Sequence, residues 1–305
     1  MDKIKAMQTF VRIVDANSFT KAAETLGLPR ASLTATLQQL EAFLGTQLLQ
    51  RTTRRLSLTT DGAEYYRQCV DILNAVEAAE LSFRGPDARR PKGTLRVNLP
   101  GTLGRNFVIP RIAGFHAAYP GVNLDINLTD RLVDVVQEGI DCALRVGQLQ
   151  DSSMVGRQIG TMRFVTCAAP AYLERYGTPR RIEDLQGHRC IVRFSGRAGK
   201  LFDWEMLVDG KVKKVDISGP VAVDDGDAYL SCALQGLGLA QPAAYLARPH
   251  FESGALIQLL PDTPPTTMPV SLLYPQGRMA APKLGVFAEW LRALFDSDPS
   301  VKLAG

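Results

Sequence analysis

A short segment of the chain combines guanidinium groups with hydroxyl groups and lies in a region that has no acidic side chain between Glu41 and Asp61. Arginine binds phosphate oxygens or the edge of guanine, and threonine hydroxyls add contacts to the sugar-phosphate backbone. The pattern indicates contact with duplex DNA, although a solvated basic loop is the alternative. The residues of this segment are Arg51, Thr52, Thr53, Arg54 and Arg55.

A helix over residues 29–43, with Pro29 in its first turn, should precede this segment. Leu33, Leu37 and Leu40 follow the helical repeat, so they should face the core. The opposite face has little bulk to keep it out of a major groove about 12 Å wide. An ordinary surface helix with a polar face is the alternative. The outward residues are Arg30, Ala31, Thr34, Ala35 and Gln38, with Ser32 and Thr36 on the flanks.

Two further helices and a small sheet should position this helix. Residues 3–15 have an apolar face at helical spacing, and Ser18 is a good cap for a helix that starts with Phe19 and Thr20. Gly27 supplies the turn between two helices. The alternation of Leu and hydroxyl residues over 56–60 predicts a two-stranded wing. A wing directly after a helix-turn-helix strongly favours DNA binding, and we include Ser18, Phe19 and Thr20 in the predicted interface.

A long helix should follow, because residues 60–83 contain no proline. Apolar residues recur along it at spacings of three and four, with one acidic exception. We interpret this stripe as a dimer seam, since the small head offers little surface against which to bury it, and an intramolecular core stripe is the alternative. A hinge rich in Gly and Pro follows over residues 85–93. The stripe consists of Tyr66, Cys69, Leu73, Val76, Glu80 and Phe83.

Several motifs in order resemble the winged helix-turn-helix of LysR-type transcriptional regulators. They include Ser18-Phe19-Thr20-x-Ala22-Ala23, Leu26-Gly27-Leu28 and the run from Leu48 to Thr59. The family commonly has Gln at the position of Arg30, Ser at Thr34 and Arg at Ala35. The resemblance implies a homodimer or dimer of dimers that pairs through the linker helix, binds promoter or operator DNA and affects RNA polymerase.

Beyond residue 90 the chain alternates between strands and helices and resembles the effector domain of the same family, which is similar to periplasmic solute-binding proteins. Matching pieces include Leu95-Arg96-Val97, Tyr119-Pro120-Gly121-Val122 and Gly236-Leu237-Gly238-Leu239. We expect an α+β multidomain fold: a winged helix-turn-helix, a linker helix and a two-lobed α/β domain. The expected boundaries are 1–60, 61–90 and 91–305, with lobe I over 91–163 and 269–305 and lobe II over 164–268.

Small-molecule ligands of such sheets bind at the carboxyl ends of the strands. Gly101 and Thr102 follow the first strand and precede a helix, where free N–H groups favour an anion. Arg145 could pair with an anionic effector, or it could be a structural ion pair; Asp225 could line the cleft or cap a helix. The expected effector residues are Gly101, Thr102, Thr129, Arg145, Gly147, Phe194, Ser195, Asp224 and Asp225.

Composition bounds the remaining possibilities. With 35 basic and 31 acidic residues the net charge is +4, so DNA affinity must come from a local patch. The sequence has no phosphate loop and no G-x-S-x-G elbow, so we expect no enzyme and no catalytic residue, although an enzyme fused to a DNA-binding head and an architectural DNA binder are rival classes.

The five cysteines and three histidines form no paired ligand motif, so we expect neither a metal nor a cofactor. A reversible cysteine pair in the effector domain would instead make a redox sensor. No apolar run is long enough to span a membrane and no signal peptide is seen, so a cytoplasmic location is expected.

Overall fold

The computed structural model describes residues 1–16, 18–51, 56–82, 91–131, 139–149, 154–194, 201–275 and 281–303. The N-terminal part is a three-helix unit with a two-stranded wing and a long following helix. Its elements are α1 (Lys3–Ala16), α2 (Phe19–Leu26), α3 (Arg30–Leu44), β1 (Leu49–Arg51), β2 (Leu56–Leu58) and α4 (Thr60–Ser82). The expected helix-turn-helix and wing are therefore present, and β1 pairs antiparallel with β2.

The core of this head is formed by the inward faces of the three helices. Leu33, Leu37 and Leu40 of α3 are at most 1% exposed, as their spacing predicts, and pack with Phe10 and Ile13 of α1. Burial of each such side chain contributes roughly 1.5–3 kcal/mol, so the leucine stripe fixes which face of α3 points outward.

The prediction that Tyr66 and Cys69 belong to a dimer seam is wrong. Both are buried in the head of their own chain, at 2% and 0% exposure, and the Tyr66 hydroxyl donates to Asp15 Oδ1 of α1 at 2.5 Å. The first turns of α4 therefore pack with the other three helices around the core of the head. Leu73 and Val76 are only partly buried, while Phe83 and the side chain of Glu80 lie outside the described residues.

The first lobe of the C-terminal domain is built on a five-stranded sheet in the order β4-β3-β5-β13-β6. The expected parallel pairing holds for β3 with β4 and with β5, but β13 is antiparallel to both β5 and β6, so the sheet is mixed. Its strands are β3 (Gly93–Leu99), β4 (Val122–Leu128), β5 (Cys142–Val146), β6 (Met154–Met162) and β13 (Met268–Pro275).

Helices cover this sheet and build an aromatic core. The sequence predicts a loop from Pro100 to Gly104, but this is wrong: helical backbone begins at Gly101 and continues to Ala118. Phe115 packs edge-on against Phe287 at 5.5 Å between ring centroids. The helical segments are α5 (Gly101–Leu103), a π turn (Gly104–Val108), a 3-10 turn (Ile109–Arg111), α6 (Ile112–Ala118) and α10 (Pro282–Asp296).

The second lobe repeats the plan of the first with shorter strands. Leu239 and Ala240 form its centre, because Ala240 bridges antiparallel to Cys167 and Leu239 bridges parallel to Cys190. One flank has two antiparallel strands and the other has two parallel strands. The elements are β7 (Thr166–Ala168), α7 (Pro170–Tyr176), a 3-10 turn (Ile182–Gly187), β8 (Val192–Arg193), β9 (Trp204–Val208), β10 (Lys211–Val215), β11 (Ala222–Val223), α8 (Gly226–Leu234), α9 (Ala244–Glu252) and β12 (Ile257–Leu259).

Candidate functional site

The turn between α2 and α3 is set by local backbone chemistry. Ser18 caps α2 by accepting the Lys21 N–H, and Gly27 ends the helix at φ +64°, where a side chain would be strained. Pro29 is the N-cap of α3 rather than part of its first turn, so the helix begins one residue later than predicted. This compact turn fixes the direction in which α3 leaves the core.

The outer face of α3 is exposed and free of large apolar side chains along its first half. Thr34 and Thr36 are half-buried at its margins, and Gln39, which the spacing argument omitted, is exposed beside Gln38. A helix with such a face can enter the major groove and present hydrogen-bonding groups to base edges. The exposed predicted residues on this side are Pro29, Arg30, Ala31, Ser32, Ala35 and Gln38.

The other predicted DNA-contacting residues divide into three groups. Thr20 is exposed, whereas Ser18 and Phe19 are half-buried and the Phe19 ring packs against the head core. Arg51 ends β1 opposite Leu56. Thr52, Thr53, Arg54 and Arg55 lie outside the described residues.

The wing is attached to α3 through the half-buried carboxylate of Glu41, a contact that the sequence did not indicate. Glu41 Oε1 accepts the backbone N–H groups of Leu48 and Leu49 at 2.9 and 3.2 Å. Thr59, which immediately precedes α4, donates to the Gln47 carbonyl at 2.7 Å and accepts the Gly62 N–H at 2.8 Å. Helix α3, the wing and α4 are therefore joined by hydrogen bonds into one unit.

In the C-terminal domain, Gly101 and Thr102 meet the second lobe directly. Thr102 is 8% exposed, and a methyl group placed on Gly226 at the start of α8 would lie only 2.6 Å from Thr102 Oγ1. The Thr102 hydroxyl has no hydrogen-bond partner among the described residues. A buried hydroxyl without a partner is uncommon, so this atom marks a site that a polar ligand could complete.

Several of the other predicted effector residues already have partners within the protein. Asp225 accepts the N–H groups of Asp227 and Ala228, which is the helix-capping alternative. The Gly147 N–H bonds to Pro269 O at 2.9 Å, and Arg145 donates to the Leu144 carbonyl at 2.7 Å.

Two of the remaining predicted effector residues also have hydrogen-bond partners within the protein. Thr129 Oγ1 accepts the Arg131 N–H at 3.2 Å, and the Phe194 N–H bonds to Val223 O at 3.0 Å. Asp224 is exposed, and Ser195 lies outside the described residues.

The structure adds polar residues that the sequence argument missed because they stand beside strand ends or inside helices. Arg105 forms an ion pair with Asp227 across the lobes, and Asn106 also donates to that carboxylate at 2.5 Å. Arg193 of β8 has a fully enclosed Nε with no partner among the described residues. Asp130 lies two residues beyond β4, and its Oδ2 is 3.5 Å from the position that a Cβ on Gly101 would occupy.

Asp130 is the electrostatically perturbed carboxyl of this cleft. Loss of hydration raises the pKa of Asp130 above its ordinary value, and the nearby Asp225 acts in the same direction. Arg193, the Gly101 N–H and Arg145 oppose the rise. A group balanced in this way between cations and another carboxylate is a candidate for ligand contact.

The buried thiols do not have the character of redox-sensing cysteines. Burial raises the pKa of Cys167 and of Cys190 to about 12, so both remain protonated near neutral pH. Reactive cysteines instead have a lowered pKa and are accessible to solvent. Neither thiol therefore favours the redox-sensing alternative.

Membrane spans and metal clusters are two further features for which the described residues can be assessed. None of the helices there combines the length and apolar character needed to cross a membrane. No cluster of three or more His, Cys, Asp or Glu side chains suited to a metal ion occurs in the same ranges.

Comparison with known families covers nearly the whole chain. Residues 4–63 match the bacterial regulatory helix-turn-helix protein of the lysR family, and residues 88–296 match the LysR substrate binding domain. The chain is 36% identical over 292 residues to the HTH-type transcriptional regulator YhjC of Escherichia coli, covering 95% of this chain and 97% of that one. It is also 37% identical over 304 residues to an HTH-type transcriptional repressor of Pseudomonas aeruginosa, covering 99% and 95%.

Solved structures agree with this assignment. CrgA of Neisseria meningitidis, a LysR-type transcriptional regulator, superposes with a TM-score of 0.59 at 31% identity, covering 95% of this chain and 97% of that chain. The helix-turn-helix head and the two-lobed domain thus occur together in the same order. The chain belongs to the LysR family of transcriptional regulators.

Proposed function

We propose that this protein binds a specific operator as a homodimer or dimer of dimers and that a small molecule in the cleft between the lobes controls it. The DNA-contacting part comprises the outer face of α3, the start of α2 and the wing. The observation that carries this proposal is the complete burial of the leucine face of α3. It leaves an exposed outer face made of Arg30, Ala31, Ala35 and Gln38.

Base recognition should depend on Arg30. Its guanidinium can pair with O6 and N7 of guanine in bidentate fashion, while Ala31 and Ala35 permit a close approach of the helix. Ala35 offers no hydrogen bond where relatives commonly have arginine, so the operator preference should differ from theirs at that contact. A twofold dimer should read half-sites about 34–36 Å apart, or a multiple of that spacing.

Control by the effector should act through the two lobes. A ligand that binds more tightly to one arrangement of the lobes shifts the protein toward that arrangement. Through α4 this shift would change the angle between paired heads, and hence the access of RNA polymerase to the promoter. The proposed boundaries are 1–60 for the winged helix-turn-helix, 61–90 for the linker, whose first turns also complete the core of the head, and 91–305 for the effector domain.

Genomic footprinting of the full-length protein tests the proposal. We expect a small set of near-palindromic sites, and an affinity whose logarithm falls with the logarithm of salt concentration with a slope of roughly −5, if three arginines per subunit neutralise phosphates. Equal affinity for all fragments of the host chromosome at modest ionic strength would contradict the proposal. Neighbouring genes at the bound sites would then identify the class of metabolite that serves as effector.

A further inference from the structure

The charged groups around the cleft differ in whether the protein already satisfies them. Asp227 is held by Arg105 and Asn106, and Asp225 is occupied by capping α8 with hydrogen bonds of 2.9 and 2.8 Å. These carboxylates maintain the contact between the lobes and the start of α8. They have little remaining capacity for a ligand.

Three enclosed side-chain polar atoms remain unsatisfied within the described part of the chain: Asn98 Oδ1 of β3, and Thr102 Oγ1 and Arg193 Nε, which come from opposite lobes. Thr102 Oγ1 belongs to the first lobe and points at Gly226, while Arg193 Nε belongs to β8 of the second lobe. The Arg193 guanidinium is also positioned by Phe202, whose ring centroid is 5.8 Å from Cζ. The Arg193 Nε–H can only donate, and the Thr102 hydroxyl can donate as well as accept, so an acceptor, ideally a carboxylate, would satisfy both.

A carboxylate of the protein stands in the same region. Asp130 Oδ2 lies 3.5 Å from the position that a Cβ on Gly101 would occupy, so it is next to Thr102. Arg193 and Arg145 attract Asp130 electrostatically. Between the described residues, however, no ion pair within 4.0 Å joins Asp130 to Arg193. The two opposite charges are close enough to influence each other without a direct ion pair, so a ligand that carries both charges could bridge them.

We propose that the effector is a small zwitterion, which binds Arg193 and Thr102 through a carboxylate and Asp130 through an ammonium group. This rests on the proposed function, because it specifies the ligand of the same cleft. A purely anionic ligand would place its second polar end against the Asp130 carboxylate, and a purely cationic ligand would leave the Arg193 and Thr102 donors without an acceptor. The complementary molecule has no net charge and carries both groups, as a free amino acid does.

Matched ligands test the selectivity directly on the full-length protein. The probes are the common amino acids, each compared with the 2-hydroxy acid that lacks the ammonium group and with the amine that lacks the carboxylate. Thermal unfolding with each probe at about 10 mM identifies binders, and calorimetric titration then ranks them. We expect at least one amino acid to bind about tenfold or more tightly than both of its counterparts.

Two variants separate the roles of the charges. Asp130→Asn should abolish the preference for the amino acid over its 2-hydroxy acid, because the carboxylate that distinguishes them is gone. Arg193→Gln should weaken both ligands. Arg180→Gln, which removes an exposed arginine elsewhere on the second lobe, should change neither affinity.

The outcomes distinguish this inference from the function on which it rests. If 2-hydroxy acids bind as well as amino acids, or if no amino acid binds, the zwitterion is excluded. In that case any ligand that still requires Thr102 and Arg193 supports the cleft as the effector site. If no ligand that alters operator binding depends on either residue, the cleft proposal fails as well.

Discussion

The effect of a single hydroxyl depends on whether it has a partner. Thr102 and Thr166 are both buried threonines, at 8% and 1% exposure, but Thr166 Oγ1 accepts the Gln241 Nε2–H at 3.3 Å whereas Thr102 Oγ1 has no partner in the described ranges. Removing an unpartnered hydroxyl leaves no orphaned group, and removing a partnered one does.

Thr102→Val should therefore leave the free energy of unfolding unchanged or slightly raised, while the response of operator binding to effector is lost. Thr166→Val should instead lower the free energy of unfolding by about 1 kcal/mol. Thermal unfolding and operator titrations with and without effector measure both quantities. A Thr102→Val protein that keeps a full effector response would remove this hydroxyl from the site.

Arg30 is the residue that should carry base discrimination. Arg30→Ala should weaken binding to the mapped operator by about 1–3 kcal/mol and relax the preference at one base pair in each half-site. Competition assays with operators substituted at each position measure the change. Arg12→Ala removes an exposed arginine from α1 and is the matched control. A uniform loss across all operator sequences would show that Arg30 contacts only phosphate.

At the scale of elements, the wing depends on a contact from α3. Glu41 accepts two backbone N–H groups at the entrance to β1, so Glu41→Ala should leave these donors unsatisfied and lower the free energy of unfolding by about 1–3 kcal/mol. We also expect weaker binding to all DNA sequences, because the wing is no longer held against α3. Denaturant unfolding and DNA titration test this, with Glu24→Ala on the exposed face of α2 as control. Unchanged DNA affinity would mean that the wing is positioned without Glu41.

The C-terminal segment is fastened to α9 by an ion pair whose strength should depend on pH. Burial tends to raise the pKa of Asp298, but hydrogen bonds from Arg248 and from the Ser300 N–H overcome this and hold the pKa below its usual value. The Arg248 Nη2 to Asp298 Oδ1 distance is 2.8 Å. A carboxyl with a lowered folded pKa stabilises the protein above its unfolded pKa of about 3.9, and this stabilisation is lost as the pH falls through the folded value.

Asp298→Asn should therefore be less stable than the wild type near neutral pH, by about 1–3 kcal/mol, and the difference should shrink as the pH falls below about 4. Denaturant unfolding across this range measures it. Asp262→Asn, at an exposed position, should follow the wild type at every pH. A difference between Asp298→Asn and wild type that does not change with pH would assign the effect to packing instead of charge.

Helices with strong periodicity and caps could be predicted well from the sequence, because their local signals agree with their packing. Helix α3 and the Gly27 turn are examples. The β9–β10 hairpin and α9 were missed, although the hairpin is local and its Asp209-Gly210 turn, with both residues at positive φ, is a hairpin signal. The strand β6 could not be predicted, since its pairing depends on a distant partner. For β6 that partner is β13, more than a hundred residues later in the chain.

The predicted site residues divide in the same way, into those with local sequence signals and those that depend on the fold. The outer face of α3 could be derived from helical spacing alone, and Thr102 from its place after a strand. Asp130 and Arg193, which belong to the proposed ligand site, could not be singled out from the sequence, because they come from separate parts of the chain that only the fold brings together. The role of Tyr66 and Cys69 was misread for a related reason: a stripe on one helix does not reveal whether its own chain or another chain covers it.

At the scale of the whole molecule, Leu73 and Val76 are the partly buried members of the α4 stripe within the described residues, so we expect them to pair in the proposed dimer. Leu73→Glu combined with Val76→Glu should convert the dimer to a monomer with a folded head, because a charge at a partly exposed position disfavours an apolar interface more than it disturbs the core. Sedimentation equilibrium measures the mass. Tyr66→Ala should instead lower the free energy of unfolding by about 3–5 kcal/mol, since it empties a core position. An unchanged dimer in the double variant would place the interface elsewhere.

Burial of Tyr66 and Cys69 has a mechanical consequence. The opening turns of α4 share a core with α1 and α3, and Tyr66 is tied to Asp15, so they cannot swivel independently of the helix that faces the groove. A rotation of α4 should therefore move the whole head as a rigid body. A signal from the effector domain would consequently be read out as the spacing and tilt of two intact heads on the duplex, without rearrangement inside either one.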